Sequence, residues 1–270
     1  MAACPAIVVG METTHKPHGI VGRLLADRHS LPLSIALHLV PGLLIVAAYF
    51  VIGVPVVDAV GYPTFLAWAI ALVVVLYPLL LGLMWLGRRQ TGRFGLRGVL
   101  KYTDRPLSRG RVIAMGVPLL LWMLIVASAV TPPIDEFLFG FFTWLPYADI
   151  GEDPMTYLEG NGRDTMVTTL LISLPFTGVT LPLIEEIYFR GFLMPRLAHL
   201  RVGAPILSTV LFSVYHFWSP WVVVSRLIFT FPGFLLAWRY RDIRLSIWMH
   251  VGTTALMGGL GPIAIMTGVL

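Results

Sequence analysis

Charge is scarce in this chain. Only 12% of its 270 residues are Asp, Glu, Lys or Arg, against 57% hydrophobic residues, and the mean hydropathy is +0.83. A soluble fold of this length would have too little polar surface to cover its core, so a polytopic membrane protein is expected. Cysteine is nearly absent: Cys4 alone excludes an intrachain disulfide and a thiolate metal cluster. Lysine is rare too, with Lys16 and Lys101 beside seventeen arginines, a ratio that suits a GC-rich bacterial genome and hence a bacterial plasma membrane. The net charge of +5 does not point to nucleic acid, because the basic residues bracket apolar runs, as orientation signals do. The opening "MAACPAIVVG" has no basic stretch and too short an apolar one for a cleaved signal peptide, and Met11 is an alternative start.

Crossing about 30 Å of hydrocarbon takes roughly 20 apolar residues as a helix. Segments 34–54, 65–87, 112–131, 165–184, 204–218, 221–238 and 245–268 qualify, the fifth being short, so the fold expected is an all-α polytopic transmembrane bundle of about seven spans. Three regions are anticipated: a cytoplasmic tail at 1–33, N-terminal spans with a basic and an acidic loop at 34–164, and a C-terminal membrane core at 165–270. The Arg-rich connection 88–111 should be cytoplasmic. Residues 132–164, with Asp135, Glu136, Asp149, Glu152, Asp153 and Glu159 against Arg163, then lie outside. Parity returns the chain inside near Arg196 and Arg201 and again at "RYRDIR", 239–244, leaving the N-terminus cytoplasmic and the C-terminus external. Within the outer loop, "FLFGFFTWLP" is aromatic and too short to cross, which suits an interfacial or re-entrant piece.

Against this background the stretch "LPLIEEIYFRGFLMPRL", 181–197, is anomalous. A charge near the bilayer centre costs on the order of 2.5–3.5 kcal/mol, so each one needs a partner or a function. On a helix Glu186 and Arg190 are four apart, share a face and can neutralise each other. Glu185 points about 100° away and finds no partner within the segment, which leaves it free for general-base chemistry. Two histidines also stand in apolar spans: His216 in "FSVYHFW" and His250 in "SIWMHVGTT". His15, His18 and His29 belong to a polar tail, His199 flanks a basic turn and His38 is single in the first span. Counting from a turn at 201–203, Glu185 and His216 reach similar heights, roughly 25 and 21 Å. His250, roughly 12 Å above its turn, meets them only if helices tilt or if 184–200 is broken at Pro182, Gly191 or Pro195. Arg226 is the remaining intramembrane charge: it pairs with a core acid, binds a substrate carboxylate, or snorkels to the outer interface near Pro220.

Glu185-Glu186-x-x-x-Arg190, Phe212-x-x-x-His216 and His250 together resemble the CPBP family of intramembrane proteases, which includes the CAAX prenyl endopeptidases and bacteriocin-processing or immunity proteins. The resemblance covers about 165–260. It implies a helical membrane fold with a cavity toward the cytosol, and hydrolysis of a peptide bond in a membrane-associated peptide or protein. In that reading Glu185 activates water and His216 holds the water or its metal. His250 stabilises the oxyanion or acts as a ligand, while Glu186 and Arg190 brace the helix. The family's third motif ends in Asn four residues after its histidine; here Thr254 stands there, with one donor in place of an amide's two. Cofactor use stays open between glutamate-activated water without metal and a zinc held by Glu185, His216 and His250. Two rivals share these residues: a non-proteolytic immunity or scaffold-type membrane protein, favoured by Thr254, and a transporter using Glu185 as a proton relay, for which no inverted repeat is evident.

Overall fold

The computed structural model describes residues 19–102, 106–148, 158 and 160–268. Cys4, Met11, His15, Lys16 and His18 lie outside these residues, as do Asp149, Glu152, Asp153 and Glu159 of the acidic loop. The described chain is almost wholly helical, with no strand. In order it comprises α1 (Gly19–Leu25), α2 (Leu31–Val60), α3 (Phe65–Thr91), α4 (Arg109–Val130), α5 (Pro132–Phe139), α6 (Arg163–Leu200), α7 (Gly203–Tyr215), α8 (Pro220–Tyr240) and α9 (Arg244–Thr267).

Six of these, not seven, are long and apolar enough to cross a membrane: α2, α3, α4, α6, α8 and α9. The segment expected as a fifth span is the 13-residue α7, about 20 Å long at 1.5 Å per residue. It still reverses the chain. Its start adjoins the basic turn at Arg201, whereas the residues after it meet the opposite end of the bundle: Tyr147 donates to the Phe217 carbonyl at 2.6 Å, Ser225 donates to Asp135, and Phe139 packs edge-on against Trp221. The connection after Tyr215 completes what the short helix does not. Residues 184–200 are no separate span but the end of the 38-residue α6.

The interruption foreseen in that segment is present and extensive. Proline lacks the N–H that an α-helix needs, and α6 carries Pro175, Pro182 and Pro195. Its backbone widens to π geometry over Leu174–Thr180 and Glu186–Leu193, then tightens to a 3₁₀ helix over Met194–Leu200. Pi turns are frequent at functional sites because they redirect side chains out of α register. Simple height counting along α6 therefore fails, and His250 does reach the acidic pair.

One end of the bundle is knitted by polar groups that the sequence offers as surface charge. Arg196 is fully buried. Its guanidinium donates to the carbonyls of Leu24, Val99 and Phe192 at 2.7–3.2 Å and stacks 4.1 Å from the Phe192 ring. His29, expected in a polar tail, is buried too: its backbone N–H donates to Arg196 O at 3.1 Å and its ring packs on Phe192. Lys101 pairs with Asp27, and its N–H donates to Gly191 O. Asp242 accepts from Leu107 N at 2.9 Å and from the Arg244 guanidinium at 2.6–3.2 Å. These contacts gather residues 24–29, 99–102, 107, 191–201 and 239–244 on one face, the set that the sequence parity assigns to the cytosol. At the other end Phe137, Phe141 and Trp144 stay largely exposed, as an interfacial aromatic piece would.

Replacing Arg196 by Met keeps the apolar stem and removes every donor. Buried acceptors left unpaired cost about 1–3 kcal/mol each, so R196M should melt several degrees below wild type in thermal denaturation, and an unchanged midpoint would show the staple to be idle. Burial raises the Asp242 carboxyl, but the bonds from Arg244 and Leu107 outweigh it and hold the group below its usual range. A depressed acid lends stability above its unfolded pKa of about 3.9 and loses it as pH falls through the folded value. Thermal melts from pH 7 downward should show this loss in the wild type, and D242N should start lower and respond less.

Candidate active site

Four helices bring the intramembrane polar residues together. The π segment of α6 carries Glu186 and Arg190, whose atoms Oε1 and Nη1 lie 3.1 Å apart with both side chains wholly enclosed. Removing two charges from water is costly unless their geometry and surroundings compensate. Here the guanidinium is sandwiched between aromatic faces, 4.0 Å from the Phe212 ring of α7 and 3.7 Å from that of Phe234 in α8. Cation–π attraction of this kind strengthens when desolvated. The same Glu186 Oε1 lies 2.8 Å from His250 Nδ1 of α9. One carboxylate thus ties α6 to α9 while its counter-ion grips α7 and α8. Bracing by Glu186 and Arg190 was expected; the hold on His250 was not.

Glu185, the other acid, is buried at 6% exposure. Its Oε1 accepts the Tyr215 hydroxyl at 3.0 Å, and its Oε2 lies 3.9 Å from His250 Nε2, beyond hydrogen-bond reach. A carboxylate oriented on one oxygen and open on the other is the arrangement a general base needs. Tyr215 escapes the sequence reading. It stands one residue before His216 in a run of aromatics, and only the polar tip of its ring distinguishes it from packing residues there.

His216 ends α7. Its backbone leaves the helix with φ −79° and ψ 60°, and its Nδ1 is 2.7 Å from the carbonyl of Phe212. A carbonyl only accepts, so Nδ1 carries the hydrogen and Nε2 holds the lone pair in the neutral ring. His250 is anchored in the same manner through Nδ1, with Glu186 in place of the carbonyl. The imidazoles are linked through Phe212, whose ring centroid is 4.7 Å from that of His216 and 6.0 Å from that of His250. Phe212 therefore contacts both histidines and Arg190.

The Tyr215 end of α7 is set by an unusually close helix crossing. A Cβ at Gly42 in α2 would overlap the Tyr215 carbonyl oxygen, so only glycine allows the first span to seat this turn. From the same helix Leu37 O accepts the Tyr188 hydroxyl at 2.7 Å.

Two expected contributors behave differently. The Thr254 hydroxyl has three backbone carbonyls within reach, Gly178 at 2.8 Å, His250 at 3.0 Å and Val251 at 3.3 Å. Its single hydrogen serves a tie between α6 and α9 and is not offered to a substrate. Arg226 does not snorkel: it is 9% exposed, with Nη2 donating to Ser219 Oγ at 2.9 Å. As for zinc, no group of three His, Cys, Asp or Glu side chains among the described residues converges closely enough to hold a metal ion. Glu185, His216 and His250 as arranged do not form a ligand set.

Residues 167–256 match the family described as type II CAAX prenyl endopeptidase Rce1-like. No curated protein and no solved structure matches the chain.

The Tyr215 hydroxyl is a positioning group for Glu185, so Tyr215→Phe should preserve the fold and lower turnover. A lost hydrogen bond to a charged group is worth about 1.5–3 kcal/mol, or a drop of roughly 10–150-fold in kcat by the tenfold-per-1.4-kcal/mol rule, with little change in KM. An unchanged kcat would remove Tyr215 from the site.

Proposed function

We propose, from a segment 167–256 that belongs to the CPBP family of CAAX proteases, that this integral membrane protein is an intramembrane endopeptidase in which Glu185 activates water against a peptide bond. One observation carries the reading. Of two adjacent buried acids, Glu186 takes Arg190 and His250 on Oε1 and has its Oε2 sealed in the core without a partner, whereas Glu185 is held only by the Tyr215 hydroxyl on Oε1 and turns its Oε2 toward His250 Nε2, 3.9 Å away.

In this mechanism a water lies against Glu185 Oε2, with its second hydrogen directed to the Nε2 lone pair of His216. Glu185 takes a proton as the water oxygen bonds to the peptide carbonyl carbon, and the carbonyl electron pair moves onto its oxygen. His250, its Nδ1–H held by the Glu186 carboxylate, acts in this step as the imidazolium, so that Nε2–H faces this oxyanion. The C=O bond then reforms, the C–N bond breaks, and the leaving amine receives the proton from Glu185. Water is consumed, an acid and an amine are released, and the carboxylate is restored. Tyr215 and Phe212 fix the two sides of the site, and Arg190 pairs with Glu186 on the oxygen that orients His250. The substrate is a membrane-associated peptide or protein, since both acids lie in α6, a helix long and apolar enough to cross the bilayer.

A second reading, a non-cleaving family member with a scaffold or immunity role, draws on Thr254. Its hydroxyl is occupied by backbone carbonyls, so the amide donor of the family pattern has no substitute there, and a missing oxyanion donor costs about 2.7–4 kcal/mol of barrier.

The test is Glu185→Gln in the full-length protein reconstituted in liposomes, with a library of fluorogenic membrane-anchored peptides as the probe. General-base loss predicts a fall of about 10²–10⁴ in kcat with an unshifted melting temperature. Equal cleavage by wild type and variant would overturn the mechanism, and inertness of the folded wild type across the library would favour the second reading.

A further inference from the structure

Arg226 is the intramembrane charge that the hydrolytic mechanism leaves unused, and one serine connects it to His216. We propose, on that hydrolytic reading, that Arg226 and Ser219 are positioning residues for the reaction: together they lock the turn that carries His216, so that its Nε2 stays aimed at the attacking water. Neither residue belongs to the motifs that carry the family resemblance.

The need for a lock follows from where the helix stops. Helix α7 ends at Tyr215, and His216 turns out of it with φ −79° and ψ 60°, so the carbonyls there have no further helical turn to bond them. The imidazole is fixed through Nδ1 to Phe212 O, while the backbone carbonyl of His216 accepts across the turn from Ser219 N–H at 3.0 Å. Whatever holds Ser219 therefore holds His216. Ser219 stands immediately before the 3₁₀ turn Pro220–Val222, a place where a serine hydroxyl ordinarily caps backbone N–H groups. Here the hydroxyl makes no such cap. It accepts instead from Arg226 Nη2 at 2.9 Å, seven residues on in α8.

Arg226 is a firm anchor. Its carbonyl accepts the Thr230 hydroxyl at 2.6 Å, and the preceding Ser225 donates to Asp135 of α5. Its Nη1 is buried and finds no hydrogen-bond partner, which leaves the Ser219 bond to carry the contact. From the other side the Tyr147 hydroxyl holds Phe217 O, and Trp218 lays its ring 4.7 Å from that of His216 and 5.2 Å from that of Tyr215. A neutral amide would satisfy a serine hydroxyl at less desolvation cost than a guanidinium. What the arginine adds is charge, and Glu185 and Asp135 are the acids that act on it through space. One side chain thus holds the His216 turn and feels the charge of the proposed base.

The test uses the full-length protein in liposomes, with membrane-anchored peptides that the wild type cleaves and Glu185→Gln does not. Ser219→Ala removes the acceptor alone and should lower kcat about tenfold to a hundredfold, the scale of a small misplacement at a reacting group, with KM and melting temperature unchanged. Arg226→Met should lose as much or more, and Arg226→Lys should recover part of the rate. Combining Ser219→Ala with Arg226→Met should cost no more than Arg226→Met alone, because residues acting as one unit do not add. Additive losses, a change confined to KM, or wild-type kcat in Ser219→Ala would overturn the lock. So would an equal loss in the control Ser128→Ala, an exposed hydroxyl bonded within α4. A second readout does not depend on turnover. In protein carrying isotope-labelled histidine, with the His216 signal assigned by its loss in His216→Gln, Ser219→Ala should shift or broaden that signal and leave that of His250 in place. An unmoved His216 signal would overturn the lock, whereas an inert wild type with the shift present would sink the hydrolytic reading and leave the lock standing.

Discussion

A charge inside a hydrocarbon slab must be answered by other atoms, and in this protein the Glu186–Arg190 pair is answered by the whole core. The guanidinium takes two aromatic faces from α7 and α8, and the carboxylate takes an imidazole from α9. Helices in lipid gain little from hydrophobic association, since lipid tails are as apolar as leucine. Polar ties and aromatic contacts around one buried pair therefore define how α6 to α9 meet. Every other feature of the site follows: Phe212 is held where it touches both histidines, His250 is aimed by its Nδ1, and Glu185 is left beside it with one oxygen spare.

Much of this was legible in the residues. Poverty of charge and the length of the apolar runs sufficed for a helical membrane bundle, and the four-residue spacing of Glu186 and Arg190 produced the ion pair read from it. Prolines at 182 and 195 marked α6 as broken. The acidic pair and His250 come together despite the height mismatch counted from the turns, in a helix that is irregular from Glu186 to Leu200.

What was missed has a common physical origin. The span count treated 204–218 as a full crossing because hydropathy cannot distinguish a 13-residue helix plus an apolar turn from a continuous rod. Arg196 and His29 read as solvated groups near a basic loop, since composition says nothing of carbonyls freed at the irregular end of a helix, and those carbonyls are what Arg196 collects. Tyr215 was hidden among aromatics whose period matched packing. Thr254 was identified by its place in a motif, yet its single hydrogen is spent on backbone, a choice visible only once α6 and α9 are side by side.

The close passage of the first span over Tyr215 bears on what counts as a unit here. The family match begins at 167, but the groove into which that core settles is cut by Gly42, the Tyr188 hydroxyl ends on Leu37, and Arg196 finishes on Leu24 and Val99. Evolutionary modularity and mechanical modularity part company at this point: the recognisable third of the polypeptide is a kernel without a shell, and its reactive geometry is completed by the less recognisable N-terminal half.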